Sequence, residues 1–216
     1  MDVTGLLGEW SGPRTVVVGN GAFPADEGIL QLLHMADHIV CCDGAVDKLA
    51  RAGFEPTALV GDCDSMTTES LQRWKHCLFP DRSQEYNDLQ KALKFCITHQ
   101  MRQAVLLGCD GLREDHFIAN LSIMATYSDR LALKMITGHG IFHVLRSTAT
   151  LPCTPGQQIS VFSLDKDLPL TFHSLKYPVN NRCFEHLWEG SLNEALDNEF
   201  TIELHKPGIV LAYVNY

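Results

Sequence analysis

The chain has 216 residues, 45% hydrophobic and 20% charged, which excludes a disordered or collagen-like polypeptide and allows a core that needs no disulfide staples. Seventeen basic against 26 acidic residues leave a net charge of −9, and no Lys/Arg cluster offsets it, so nucleic acid is excluded as a bulk partner. No run approaches the ~18 apolar residues of a membrane span.

The first two thirds alternate short apolar runs with helical patterns. TVVVGN (15–20) predicts a strand and ADEGILQLLHMA (25–36) a helix; HIVCCDG (38–44) is a second strand, followed by a helix over 45–53 with Gly53 as its stop. TALVGDCDS (57–65) reads as a third strand, TTESLQRWK (67–75) as a helix capped by Thr67 or Thr68, and CLFP (77–80) as a short fourth strand. A helix over 87–100, a strand over 104–111, a helix over 115–128 and a strand over 131–140 complete the series. Strands that are apolar throughout and alternate with helices imply a doubly wound parallel sheet with helices on both faces. Past Gly140 the rhythm changes to short β-rich runs (FHVLRST, QISVFSL, LTFHSLK, FTIELH, GIVLAYVN) punctuated by Gly, Pro and Asn. These predict a C-terminal antiparallel β-sandwich. The expected division is an α/β domain over 1–140 and a sandwich over 141–216.

The start, MDVTGLLGEWSGPR, lacks the basic and apolar regions of a secretion signal, and residues 1–14 read as a frayed terminus. The eight cysteines include no C-x-x-C pair. They are expected to be reduced, mostly buried thiols of a cytoplasmic protein, with no zinc-ligand spacing.

Four strand ends carry residues suited to phosphate chemistry, in a fold class where ligands bind beyond the carboxyl ends of strands. Gly61-Asp62-Cys63-Asp64-Ser65 places two carboxylates at i and i+2, which point the same way if the backbone stays extended. Such a pair suits Mg²⁺, which takes one or two carboxylates plus substrate phosphates; a polar turn with an Asp cap is the plain alternative. Asp43-Gly44 ends the second strand, and Asp43 either caps a turn or joins Asp62 and Asp64. Gln84, Asn87 and Asp88 lead into the helix over 87–100, where Asp88 is a cap or a further metal carboxylate and Asn87 a polar contact to phosphate or metal. Lys91, one turn on, is by default a solvated lysine. In Gly108-Cys109-Asp110-Gly111-Leu112-Arg113-Glu114-Asp115-His116, glycine allows close backbone approach, the helix N-terminus attracts anions, and Arg113 and His116 are candidate phosphate contacts. Together these predict Mg²⁺-dependent phosphoryl or nucleotidyl-type transfer without a P-loop.

The order CCDGAVDKL, GDCDS, QEYNDLQKAL, GCDGLREDHFIANL, SLKYPV, SLNE resembles the thiamine pyrophosphokinase family, from about Cys41 to the C-terminus. The resemblance implies an N-terminal α/β domain, a C-terminal β-sandwich, a homodimer, and transfer of the pyrophosphoryl group of ATP to the hydroxyl of thiamine with release of AMP. It assigns Mg²⁺ to Asp62, Asp64 and Asp88; Asp43 and Asp88 are the two candidates for accepting the hydroxyl proton, and the sequence does not choose between them. Gln84 and Asn87 match the family's polar contacts and Arg113 and Asp115 its nucleotide-binding turn, which Asn120 supports; Lys91, Gly111 and His116 join them as candidate ATP contacts. Leu192 and Asn193 match the family's Ser-Asn near thiamine, so Leu192 removes a hydroxyl there. Ala45, Val46 and Leu192 keep open a pyrophosphokinase for another hydroxymethyl heterocycle, such as a pterin; a non-catalytic nucleotide- or thiamine-binding regulator is the other alternative.

Overall fold

The computed structural model describes Gly12, Arg14–Asp64 and Met66–Tyr216; the reading of the extreme N-terminus falls outside these residues. The chain divides into one unit ending at Gly138 and a second taking in His139–Tyr216.

In the first unit β1 (Thr15–Val18), α1 (Glu27–His34), β2 (His38–Cys42), α2 (Val46–Arg51), β3 (Ala58–Gly61), α3 (Thr68–Arg73), β4 (Leu78–Pro80), α4 (Asp88–Thr98), β5 (Gln103–Leu107), α5 (Glu114–Tyr127) and β6 (Ala132–Ile136) follow one another. The six strands pair in parallel in the order β4-β3-β2-β1-β5-β6. Every residue of β1 and of β3 is buried. Because successive side chains point to opposite faces, both faces of the sheet are covered. The chain winds outward from β1 to β4, then returns to β1's other side at β5, so the strand order reverses between β1 and β5. In such sheets that reversal opens a crevice at the carboxyl ends.

The helices begin where their caps dictate. Asp26 Oδ1 accepts from the Gly28 and Ile29 N–H groups at 2.9 and 3.2 Å, and Thr67 Oγ1 from Ser70 N at 3.1 Å. At α4 the cap is Asn87, in a reciprocal box with Gln90. Each such cap contributes about 1 kcal/mol. Asp88 is thereby placed in the first turn with its carboxylate uncommitted to capping.

The third strand is shorter than its sequence pattern. It stops at Gly61 because Cys63 adopts φ +68, a left-handed conformation that turns the chain. The backbone through Asp62-Cys63-Asp64 is therefore not extended, and Asp62 Oδ1 instead accepts from Asp64 N at 3.2 Å. The fifth strand likewise ends at Leu107, where Gly108 takes φ +63.

The second unit holds two antiparallel sheets. One is β11 (Asn193–Glu194), β9 (Gln158–Ser163), β13 (Val210–Asn215) and β7 (Gly140–Leu145); the other is β10 (Leu170–His173), β12 (Glu199–Leu204) and β8 (Ala149–Pro152). Val210, Ala212 and Val214 alternate inward from β13 and share one core with Phe172, Phe200 and Ile202 of the other sheet. This is a β-sandwich. No helix among the described residues is long and apolar enough to cross a membrane.

Candidate active site

The loops after β1 and β5 meet at the reversal of strand order. Gly19 N donates to Leu107 O at 2.8 Å, Gly21 N to Gly108 O at 2.6 Å, and Ala22 N to Asp110 O at 2.7 Å. Lys48 on α2 secures the first loop by donating to the carbonyls of Asn20 and Gly21, both at 2.9 Å. Asn120 on α5 holds the second by donating to Cys109 O at 2.8 Å. Between them lies a cleft of about 310 Å³ bordered by Asn20, Asn87, Asp88, Asp110, Arg113 and His116.

Beside this cleft, two carboxylates from separate loops converge on one ammonium. Lys91 Nζ lies 3.3 Å from Asp62 Oδ2 and 3.5 Å from Asp88 Oδ1, with its side chain 2% exposed. Far from being a solvated lysine, Lys91 is a buried counter-ion. Burial acts to lower its affinity for the proton, and the two carboxylates outweigh that, so the ammonium is held above its ordinary range. Asp62 is held below the usual carboxylate range, first by the Asp64 N–H and then, against partial burial, by Lys91. Asp64 is exposed on the lip of the same loop.

Asp43 stands behind this pair. It is buried, with Oδ1 accepting from Gly44 N at 2.6 Å and Oδ2 from Cys63 N at 2.7 Å. Burial pushes its carboxyl up, the Cys63 N–H opposes this, and the nearby Asp88 charge adds to the rise. The geometry makes Asp43 a brace between β2 and the loop bearing Asp62 and Asp64.

At the start of α5, Arg113 grips Asp115 with a fork: Nε to Oδ1 at 3.0 Å and Nη2 to Oδ2 at 2.5 Å. Asp115 Oδ1 also accepts from His116 N at 2.9 Å. The guanidinium beside it brings the Asp115 carboxyl down to about 2. Gly111 packs against Ala22, where a Cβ would lie 2.5 Å from the Ala22 Cβ. Gln84 is exposed and does not border the cleft.

In the second unit, Leu192 takes φ +58 and is 70% exposed, its N–H donating to Ser160 Oγ at 3.1 Å. Asn193 is buried and clamps Tyr177: Oδ1 accepts from Tyr177 N at 3.0 Å and Nδ2 donates to Tyr177 O at 2.8 Å. Oδ1 also accepts from Glu194 N at 2.9 Å.

A cradle of carboxylates and glycine turns at the reversal point, joined to an antiparallel sandwich, sets the terms for comparison with known proteins. A profile described as thiamin pyrophosphokinase, catalytic domain, matches residues 29–136, and one described as thiamin pyrophosphokinase, substrate-binding domain, matches residues 140–213. The chain belongs to the thiamin pyrophosphokinase family. Among solved structures, the thiamine pyrophosphokinase of Bacillus subtilis aligns with a TM-score of 0.78 at 21% identity, over 94% of this chain and 98% of its own. The enzyme of Candida albicans aligns at 0.78 and 16% identity, over 94% and 90%. A thiamin pyrophosphokinase family protein of Enterococcus faecalis gives 0.80 at 18% identity, over 94% and 99%. At these identities the likeness is one of fold. No curated protein matches the sequence.

Within this family frame, the cleft also uses residues that the reading of the motifs passed over: Gly19, Asn20, Gly21 and Lys48. Their signal was present, since Gly-Asn-Gly directly follows the strand run VVV, the same βα-turn pattern that singled out the other loops.

Proposed function

We propose that this family member transfers the pyrophosphoryl group of ATP to thiamine, with Mg²⁺ as cofactor, giving thiamine diphosphate and AMP. The observation that carries the reading is the convergence of Asp62 and Asp88 on a buried cation beside the β1/β5 cleft. The donor set is hard oxygen, and a pocket that already seats one cation between two carboxylates fits the one or two carboxylates Mg²⁺ takes from protein. Among the described residues no group of three or more His, Cys, Asp or Glu side chains could hold a metal ion, so Asp62, Asp64 and Asp88 are not gathered into one cluster and the reading rests on the Asp62–Asp88 pair. When bound, Mg²⁺ supplies charge neutralisation on the phosphates. Asp62 and Asp88 would hold it, with Asp64 adding a carboxylate from the lip.

The chain's own residues supply the rest. The glycine turns and Arg113 line the path of the phosphates, with Asn87 and His116 at its border. The thiamine hydroxyl oxygen attacks the β-phosphorus, the bond from that phosphorus to the α–β bridging oxygen breaks, and the hydroxyl proton leaves to Asp88. Asp43 serves from behind by keeping the Asp62 loop in place. Catalysis is positioning and electrostatics, as phosphoryl transfer generally is.

Thiamine would meet the second unit around Leu192, in a homodimer; the exposed apolar side chains of Tyr177, Leu187, Trp188, Leu192 and Leu196 support such an interface. Burial pushes the Cys96 and Cys109 thiols up to about 12, making them inert packing groups suited to a reducing cytoplasm.

The deciding assay follows AMP release with ATP, Mg²⁺ and a panel of acceptors. Thiamine-dependent AMP formation supports the proposal. Release that requires a hydroxymethyl pterin instead transfers the activity to another heterocycle, and tight ligand binding without AMP makes the protein a regulator.

A further inference from the structure

Resting on the cation-site reading above, we propose that Lys91 is the resident cation of that site. Its ammonium holds Asp62 and Asp88 together in the metal-free protein, competes with a divalent ion that arrives alone, and yields its place when an anion is present to receive it.

The argument starts from burial. A lysine side chain that is 2% exposed has lost nearly all its water, and an ammonium in that position is tolerable only against opposite charge. Asp62 and Asp88 provide it from two different elements, the loop after β3 and the first turn of α4. The contacts, at 3.3 and 3.5 Å, exceed the 2.7–2.9 Å typical of charge-assisted bonds. Lys91 therefore offers charge to the pair more than tight hydrogen bonding, and a better-fitting cation has room to improve on it. A dication ligated at ~2.1 Å by these same oxygens would face the ammonium a few ångströms away. The two cations exclude one another. Lys91 must move for the metal to enter, and a phosphate-bearing ligand seated in the cleft beside Asp88 would give the displaced ammonium a new counter-ion.

The test uses Mn²⁺ alone, read by electron paramagnetic resonance on the full chain, with Lys91→Met and Lys91→Gln set against wild type and folding checked by circular dichroism. Removing one positive charge at this distance is expected to tighten binary Mn²⁺ binding by at least ~5-fold, the effect of a unit charge even under water-like screening. Unchanged or weaker binding in the folded variants overturns the proposal. If the variants unfold without metal, Mn²⁺ must restore their folding, because it supplies the missing charge; variants that Mn²⁺ leaves unfolded also overturn it. A second arm adds a non-hydrolysable ATP analogue. Wild type is expected to gain far more Mn²⁺ affinity from the analogue than the variants do. An analogue that fails to bind any of the proteins counts against the nucleotide reading, while the Mn²⁺-only comparison still decides the role of Lys91.

Discussion

Gly61 leaves its side-chain space to Asp43: a Cβ at Gly61 would fall 2.4 Å from the Asp43 Cγ and 2.6 Å from its Oδ2. The last residue of β3 is thus glycine because a buried carboxylate from the end of β2 occupies the adjoining volume. That carboxylate in turn accepts from Cys63 N and fixes the loop carrying Asp62 and Asp64.

Two substitutions test this brace. Gly61→Ala forces Asp43 to shift and should cost about 1–3 kcal/mol, the usual range for overpacking, or roughly 2–4 °C of Tm per kcal/mol in a chain of this size. Asp43→Asn sets an NH2 against one of two backbone donors and should cost about 1–3 kcal/mol. The pH profile separates the two. Burial raises Asp43 above its ordinary 3.8, so the folded state prefers the protonated carboxyl. That contribution is complete below pH 3.8 and is lost as pH rises through the elevated value. Asp43→Asn should remove this slope from Tm against pH; a slope that persists assigns the titration elsewhere.

The metal reading is tested by charge removal at constant shape. Asp62→Asn and Asp88→Asn should each lower turnover at least ~10²-fold, the scale of losing one preorganised electrostatic contact, with near-native circular dichroism. Asp64→Asn should do the same if the exposed lip carboxylate joins the metal shell. Near-normal turnover in purified Asp64→Asn would leave the ion to Asp62 and Asp88.

Most of the architecture was legible because the signals are local. Val16–Val18 and Leu59–Val60 are apolar without alternation, as a doubly covered sheet requires, and Thr67 announces a helix start, whereas the caps Asp26 and Asn87 emerge only in the structure. β8 was not legible, since Ala149–Pro152 is short and carries a proline; it is tolerated there because β8 is the edge of its sheet. β11, two residues long, gave no periodicity at all. The site was legible as loops and illegible as contacts. That Lys91 lies between Asp62 and Asp88, or that Gly21 pairs with Gly108, depends on strands adjacent in space and distant in sequence. Asn87 rather than Asp88 caps α4 because its amide both accepts from Gln90 N and leaves the next carboxylate free for the cleft.

The Arg113–Asp115 fork is exposed on both sides, so it contributes little to stability. Its value is preorganisation: a guanidinium already oriented at the helix start. With Asp115 held at about 2, the pair is intact above the ordinary carboxylate range and is lost only as pH falls through about 2. Nucleotide affinity should therefore show no titration from this pair between about pH 5 and 8. Arg113→Gln should return Asp115 to about 4, close to an unperturbed Asp, as read by carboxyl NMR shifts, and weaken nucleotide binding roughly 10-fold or more through one lost charge-assisted contact. A carboxyl that stays near 2 in the variant would assign the depression to the His116 N–H instead.

In the second unit, Asn193 and Leu192 make separable demands. Asn193 spends its amide on both backbone groups of Tyr177 and on Glu194 N, so Asn193→Ala leaves half-buried backbone groups unpaired and should cost about 1 kcal/mol. Any rise in the KM for thiamine would then accompany a fall in Tm, the signature of positioning; a raised KM at unchanged Tm would instead show Asn193 touching the acceptor directly. Leu192 holds φ +58, a conformation costing a residue with a Cβ roughly 1–2 kcal/mol. Leu192→Gly should accordingly be more stable than Leu192→Ala by about 1 kcal/mol, because both lose the same exposed side chain and only glycine escapes the strain. Chemical denaturation of the two variants side by side measures this difference, and an alanine variant as stable as the glycine one would mean that the left-handed turn at Leu192 is not kept in solution.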